Sequence, residues 1–222
     1  MLKFYYSLAP NPMKVALFLE EAGLPYQPMP IDTRKGEQHT PEFLAINPNA
    51  KAPAIDDDST IVFDSNAILL YLAEKTGQFL PAAGLKGEML SWMFFISSGI
   101  GPYSGQCVHF THHAPEKLDY AIKRYAFEAK RHWSILNDRL ATREWLVGDS
   151  YSIVDMAAWG RERAGAFVLG GEWDSLPHVK RHFAAINARP AAERAGALKD
   201  RHAFKTEMDD EARRNMFRHL AA

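Results

Sequence analysis

The apolar pattern of this chain changes once along its length, and that change most limits how the chain can fold. Over residues 1–80 short apolar runs alternate with helical stripes; beyond residue 88 every regular segment repeats at three or four residues. Side chains alternate faces in a strand and return every 3.6 residues in a helix. The sequence therefore predicts a small α/β unit followed by an all-helical one.

In the first part Leu2 to Tyr6 reads as a strand and Ser7-Leu8-Ala9-Pro10 as a loop. Asn11-Pro12 opens a helix, with Asn11 as N-cap and Pro12 at a position whose N–H had no partner. Val15, Phe18 and Leu19 give its buried stripe, and Gly23 closes it. Tyr26 to Ile31, interrupted by prolines, reads as an edge strand. Pro41 to Ile46 reads as a short helix. Ala52 to Ile55 and Thr60 to Phe63 form two strands around the acidic turn Asp56-Asp57-Asp58-Ser59. Ser65 caps a helix burying Ile68, Leu69 and Leu72. The predicted order is β-α-β-α-β-β-α.

Gly77 to Gly87, with Pro81 and Gly84, reads as a linker. Helices follow: Met89 to Ile96, then one opened by Pro115 and carrying Leu118, Ile122, Tyr125, Ala129, Trp133, Leu136 and Leu140. Two more cover Ser152 to Ala158 and Pro177 to Ala188. Lys205 to His219 is highly charged and reads as a surface helix or tail. The expected divisions are 1–80, a linker at 81–88, a helical domain at 89–204 and a charged tail at 205–222.

Composition narrows the function classes. Apolar residues make up 47% and charged residues 24%, as in an ordinary globular protein. Acids and bases nearly cancel, 27 against 26, so no global basic excess points to nucleic acid or an anionic membrane. A single cysteine, Cys107, forms no internal disulfide, which fits a reducing compartment. Lys14, Glu20 and Glu21 interrupt any leader-like apolar stretch, and Leu90 to Tyr103 is too short to span a bilayer. The expected location is cytoplasmic.

Several segments resemble the cytosolic glutathione transferases, over the first 200 residues. They are Asn47-Pro48-Asn49-Ala50-Lys51-Ala52-Pro53-Ala54-Ile55, Phe63-Asp64-Ser65-Asn66-Ala67-Ile68, Glu74-Lys75, the box Ser152-Ile153-Val154-Asp155, and Arg189-Pro190-Ala191. Val154 departs from the usual Ala of that box. Gly36 to Phe43 and Gly101 to Phe110 resemble the nu class and its disulfide-reductase-like relatives. The resemblance implies a thioredoxin-like domain, with a mixed four-stranded sheet and helices, followed by an all-helical domain. It also implies glutathione as co-substrate, a homodimer, and a small hydrophobic electrophile or a disulfide as second substrate.

Such a site must grip a tripeptide and favour its thiolate. The resemblance puts Ser65 at the γ-glutamyl carboxylate and Asp64 at the amine or behind Ser65. It makes the Pro53 peptide cis and turns the Ala52 backbone to the cysteinyl unit. Gln38 and Lys51 could hold the glycyl carboxylate. Asn11 is the choice for activating the thiol, as a neutral donor at a helix N-terminus. Ser7 is the alternative; Tyr5 and Tyr6 lie in the strand. Ala9 stands where nu-like sites often carry Thr. In nu-like relatives an Arg at the place of Arg131 points to glutathione, and its fork suits a carboxylate. From the residues alone, a plain cap for Asp64-Ser65 and Asn11, and solvated charge for Lys51 and Arg131, stand beside these roles.

Cys107 falls in the motif that lines the electrophile pocket of nu-like relatives, while an isolated cysteine is usually a buried small hydrophobe. His109, His112 and His113 lack a carboxylate partner, so no metal is expected. Ser152-x-x-Asp155 is a capping motif that informs folding. Two function classes remain: a glutathione-dependent transferase or disulfide reductase, and a glutathione-binding regulatory protein with little turnover, which Ala9 would favour.

Overall fold

The computed structural model describes residues 1–218. The chain forms two compact units, one of Met1–Thr76 with everything described from Pro190 onward, the other Gly77–Arg189.

The first unit is built on a four-stranded sheet in the order β2-β1-β3-β4. β1 (Leu2–Tyr6) runs parallel to β2 (Tyr26–Pro30) and antiparallel to β3 (Ala54–Asp57), which pairs antiparallel with β4 (Thr60–Phe63). Leu2, Phe4 and Tyr6 alternate inward along β1, as a half-buried strand requires. Pro28 and Pro30 cannot donate to a ladder, and β2 accordingly takes the sheet edge. β3 begins two residues later than expected, because Pro53 has no N–H for the ladder. The acidic turn shrinks to Asp58-Ser59, both with positive φ, and Asp56 Oδ1 accepts from Ser59 N–H at 2.9 Å.

α1 (Pro10–Ala22) buries every residue from Pro12 to Leu19, rather than one stripe, since it packs between α3 (Ser65–Thr76) and α10 (Pro190–Gly196). It starts at Pro10 with Ala9 as N-cap, so Asn11 is not the cap but a first-turn residue. Proline's preset φ favours that first position. Gly23 closes the helix with φ 63°, as expected. At α3 the cap is Asp64, whose Oδ1 accepts from Asn66 N–H at 2.9 Å and Ala67 N–H at 3.2 Å. Ser65, expected as the cap, is the first helical residue. The short α2 spans Pro41–Ile46 with Thr40 as its cap.

Residues from 190 onward depart from the expected division, which gave 190–204 to the helical domain and 205–222 to a tail. Ala191, Ala192 and Ala195 bury against α1, and Arg194 Nε donates to Glu20 Oε2 at 2.9 Å. His202 and Phe204 set their rings edge-on to Tyr6, with centroids 5.9 Å and 5.7 Å away. α11 (Asp210–Met216) then lies against the segment after β2. The last residue of the charged stretch, His219, lies outside the described residues.

The second unit comprises α4 (Lys86–Phe95), a π-helical turn at Ile96–Ile100, α5 (Gly101–Val108), a second π-helical turn at His109–His113, and α6 (Asp119–Leu140). It continues with α7 (Ile153–Glu162), α8 (Gly165–Leu169) and α9 (Pro177–Asn187). α4 begins inside the expected linker, and α6 begins at Asp119 rather than Pro115, leaving Leu118 exposed as its N-cap. Trp133 and Trp159 are fully buried. The capping box forms as the spacing predicts: Ser152 Oγ accepts from Val154 N–H and Asp155 Oδ2 from Ser152 N–H. Among the described residues no helix is long and apolar enough to cross a membrane.

Candidate functional site

The first loop and the start of α1 carry little side-chain chemistry. Tyr6 is fully buried, and burial pushes its phenol above the usual range, so it is no ready proton acceptor. Ser7 Oγ accepts from Ala9 N–H at 3.5 Å. Helix N-termini leave their first N–H groups without intrahelical partners. In α1 the first three residues are Pro10, Asn11 and Pro12, so Asn11 supplies the one backbone N–H there. Asn11 Oδ1 is buried and makes no hydrogen bond. A side-chain amide offers both an acceptor and donors, and Asn11 thus brings a backbone donor and an amide to one point.

Lys14, one turn further on, was not singled out by its sequence, although a lone lysine inside the apolar run Pro12–Leu19 was the available signal. It is buried, 1% exposed. Its Nζ donates to Ser65 Oγ at 3.4 Å and to Asn66 Oδ1 at 3.3 Å. Ser65 Oγ accepts there, so its own proton points elsewhere. A cation behind a hydroxyl at the start of a twelve-residue helix is an arrangement suited to an anion. Asp64 is exposed, and its Oδ1 is committed to the cap.

The loop before β3 is held by Asn47. Its Nδ2 donates to Lys51 O at 2.6 Å and its Oδ1 accepts from Asn49 N–H at 3.0 Å. That fixes the backbone entering Ala52-Pro53, whose peptide bond is cis. Lys51 is exposed and Pro53 buried.

Gln38 is buried, and its Nε2 donates to Thr33 O and Asn215 O, both at 3.1 Å. His39 Nε2 also meets Asn215 O at 3.1 Å. Both amide protons of Gln38 are therefore engaged, and its Oε1 is buried with no partner. A carboxylate needs donors, so Gln38 in this arrangement offers it none. Nearby a cavity of about 270 Å³ is lined by Ser7, Leu8 and Ala9 on one side and Phe204, Thr206 and Met216 on the other.

Arg131 lies on α6 of the second unit. Its Nε donates to Glu128 Oε2 at 3.0 Å, and its side chain remains 46% exposed. Arg131, with Arg124, holds the Glu128 carboxyl below its usual range. Cys107 is buried, donates to Val168 O at 3.6 Å, and has its thiol pushed up by burial, the setting of an inert cysteine. Among the described residues no group of three or more His, Cys, Asp or Glu is placed to hold a metal ion.

The mixed sheet, the cis-proline loop and the two helix N-termini define a thioredoxin-like domain, and a helical domain follows it. Family models agree. The glutathione S-transferase N-terminal domain matches residues 2–74 and the C-terminal domain matches residues 107–190. The chain belongs to the glutathione S-transferase family. It is 43% identical over 209 residues to the disulfide-bond oxidoreductase YfcG of Escherichia coli K12, covering 88% of this chain and 94% of that one. It is 39% identical to YghU, a disulfide-bond oxidoreductase of the same organism, over 85% of this chain and 72% of that one. A glutathione transferase from Burkholderia graminis, solved with two glutathione molecules per subunit, superposes with a TM-score of 0.85 at 40% identity, covering 90% and 89% of the two chains. One from Pseudomonas putida, solved with one glutathione disulfide per subunit, gives 0.81 at 33% identity, over 87% and 90%.

Proposed function

We propose that the protein is a glutathione-dependent enzyme that binds the tripeptide on its first domain, favours its thiolate and reduces disulfides. The observation that carries this reading is Lys14, which joins α1 to α3 and sets a buried cation behind Ser65. In this reading Ser65 and the first turn of α3 take the γ-glutamyl carboxylate, and Asp64 faces the γ-glutamyl amine. Ala52 and Pro53 hold the cysteinyl backbone, and Lys51 takes the glycyl carboxylate. Gln38 joins Lys51 once the Asn215 carbonyl gives up its share of the amide. Arg131 meets a further carboxylate, and Asn11 donates to the sulfur.

The chemistry follows from a ligand-borne thiol. The glutathione thiolate attacks one sulfur of a disulfide, a new S–S bond forms, and the other sulfur leaves as thiolate. A second glutathione thiolate attacks the mixed disulfide, releasing the second thiol and glutathione disulfide. No cysteine stands in the first loop, so both attacking sulfurs come from glutathione. The two oxidoreductases named above support this acceptor, and attack on an electrophilic carbon is the other reaction the same thiolate performs. The reading includes a homodimer in the cytoplasm. Exposed Phe94, Tyr120 and Phe127 on α4 and α6 support a self-contact, and the single cysteine supports a reducing compartment.

Steady-state turnover with glutathione tests the reading, with 2-hydroxyethyl disulfide in one assay and a chloro-nitroaromatic in the other. Turnover is expected with the disulfide. Tight binding of glutathione without turnover in either assay overturns the enzyme reading in favour of a regulatory binder.

A further inference from the structure

We propose that the C-terminal strap, residues 202–216, is a built-in competitor of glutathione: the Asn215 carbonyl occupies, at Gln38 and His39, the place of the glycyl carboxylate. This rests on the reading that Gln38 helps to hold that carboxylate. Every residue involved belongs to the first unit. Asn215 lies in the last turn of α11, where carbonyls have no partner inside the helix and carry partial negative charge. Its oxygen accepts from Gln38 Nε2 and lies 3.1 Å from His39 Nε2. A carbonyl only accepts, so His39 Nε2 carries its proton and is a donor. Two donors on adjacent residues therefore converge on one oxygen, as they would on a carboxylate oxygen. The other Gln38 proton stays with Thr33 O, so Asn215 holds the one proton that Gln38 has to offer a ligand. His39 joins it as a second donor for the same group.

The seat fits this contact closely and holds it loosely. Gly36, with φ 84°, lets Asn215 approach bare backbone: a Cβ there would lie 3.0 Å from Asn215 Oδ1. Asn215 Nδ2 donates to Arg34 O at 2.9 Å. Nearer the start of the strap, Lys205 N–H donates to Asp32 Oδ2 and Arg34 Nη1 donates to Lys205 O. Within α11 itself only Ala212 is buried. A seven-residue helix is not stable alone, and one buried methyl adds little, so hydrogen bonds keep α11 in place. Each such bond is worth little net of water, and a fully charged carboxylate bonds the same donors more strongly. Glutathione therefore displaces Asn215, and the strap in turn weakens glutathione, because binding linkage is reciprocal.

Hydrogen exchange and calorimetry on the full chain test this. Saturating glutathione is expected to speed amide exchange across 210–216 severalfold. Unchanged or slowed exchange there, with glutathione bound, overturns the proposal and leaves the glutathione reading standing. No binding of glutathione by calorimetry removes both. Two variants release α11 without touching Gln38 or His39. One ends the chain after Asp209, which keeps Phe204 at Tyr6 and Lys205 at Asp32. The other, Ala212→Asp, puts a charge where the side chain is wholly buried. Each is expected to lower the dissociation constant for glutathione roughly three- to tenfold, the closed fraction of the strap setting the gain. Glutathione esterified at its glycyl carboxylate is expected to gain little. Equal gains for acid and ester, or no gain for either, overturn the proposal. In the shortened chain His39→Phe is expected to raise the constant for glutathione about threefold or more, and an unchanged value overturns the part of His39 as donor.

Discussion

Asn11 and Lys14 stand one turn apart on α1 and do different work. Asn11 offers the lone backbone N–H of the first three helical residues and a side-chain amide beside it. Hydrogen bonds to charged groups are worth roughly 1.5–3 kcal/mol, which is about one to two pKa units. Asn11→Ala is therefore expected to raise the pKa of enzyme-bound glutathione by about that much. Titration of thiolate absorbance measures it, and an unchanged value would show that the Asn11 side-chain amide does not activate the sulfur. Lys14 acts through Ser65 and Asn66. Lys14→Met matches its length and apolar stem, and is expected to raise the KM for glutathione about tenfold or more through lost charge-assisted bonds. Combined with Ser65→Ala the loss is expected to be less than the product of the two, because the residues touch. Full additivity in the kinetics would mean that Lys14 does not work through Ser65.

At the scale of elements, α7 and α9 are tied by a buried charge cluster. Asp155 accepts from Ser152 N–H, Leu146 N–H and His182, and Glu162 accepts from His182 on its other nitrogen. Burial works against a charged His182, but Glu162 and Asp155 outweigh it and push the ring from 6.5 up to about 10. A raised folded-state pKa gives stability that is complete below the unfolded value and disappears as pH rises through the folded one. The contribution of His182 is therefore full below about pH 6.5 and lost by about pH 10. Urea unfolding across this window is expected to show stability falling with pH in the native protein and much less in His182→Asn. Equal slopes would place the pH dependence in other groups. Asp155→Ala leaves His182 half-paired and the α7 cap open, and is expected to cost roughly 3–5 kcal/mol in the same experiment.

For the whole molecule, the telling feature is the return of the chain end to its beginning. Lys205 N–H donates to Asp32 Oδ2 at 2.7 Å, and Arg34 Nη1 donates to Lys205 O at 2.8 Å. Asn215 exchanges bonds with Arg34, Gln38 and His39. Ending the chain after Arg201 is expected to uncover Tyr6 and to lower the Tm, by about 2–4 °C for each kcal/mol lost in a protein of this size. The same truncation releases the Gln38 amide proton that Asn215 O holds, leaving the bond to Thr33 O, and a lower KM for glutathione is its expected kinetic consequence. A KM that stays the same or rises would mean that the Asn215 contact does not restrain Gln38.

Local signals in the sequence were enough for the order β-α-β-α-β-β-α, the Gly23 closure, the edge placement of the proline-bearing β2 and the Ser152–Asp155 box. Each depends on residues within a few positions of one another, through side-chain period, a missing N–H or a cap. The motifs around Pro53 and Ser65 carried the family on the same basis. Tertiary structure decided the rest. It put Lys14 behind Ser65 and engaged Gln38 with Asn215. Lys14 and Ser65 are 51 positions apart, and Gln38 and Asn215 are 177 apart. No periodicity or spacing rule reaches across such distances. Burial and the pairing of buried polar groups set those partners, and both exist only once the chain has closed on itself.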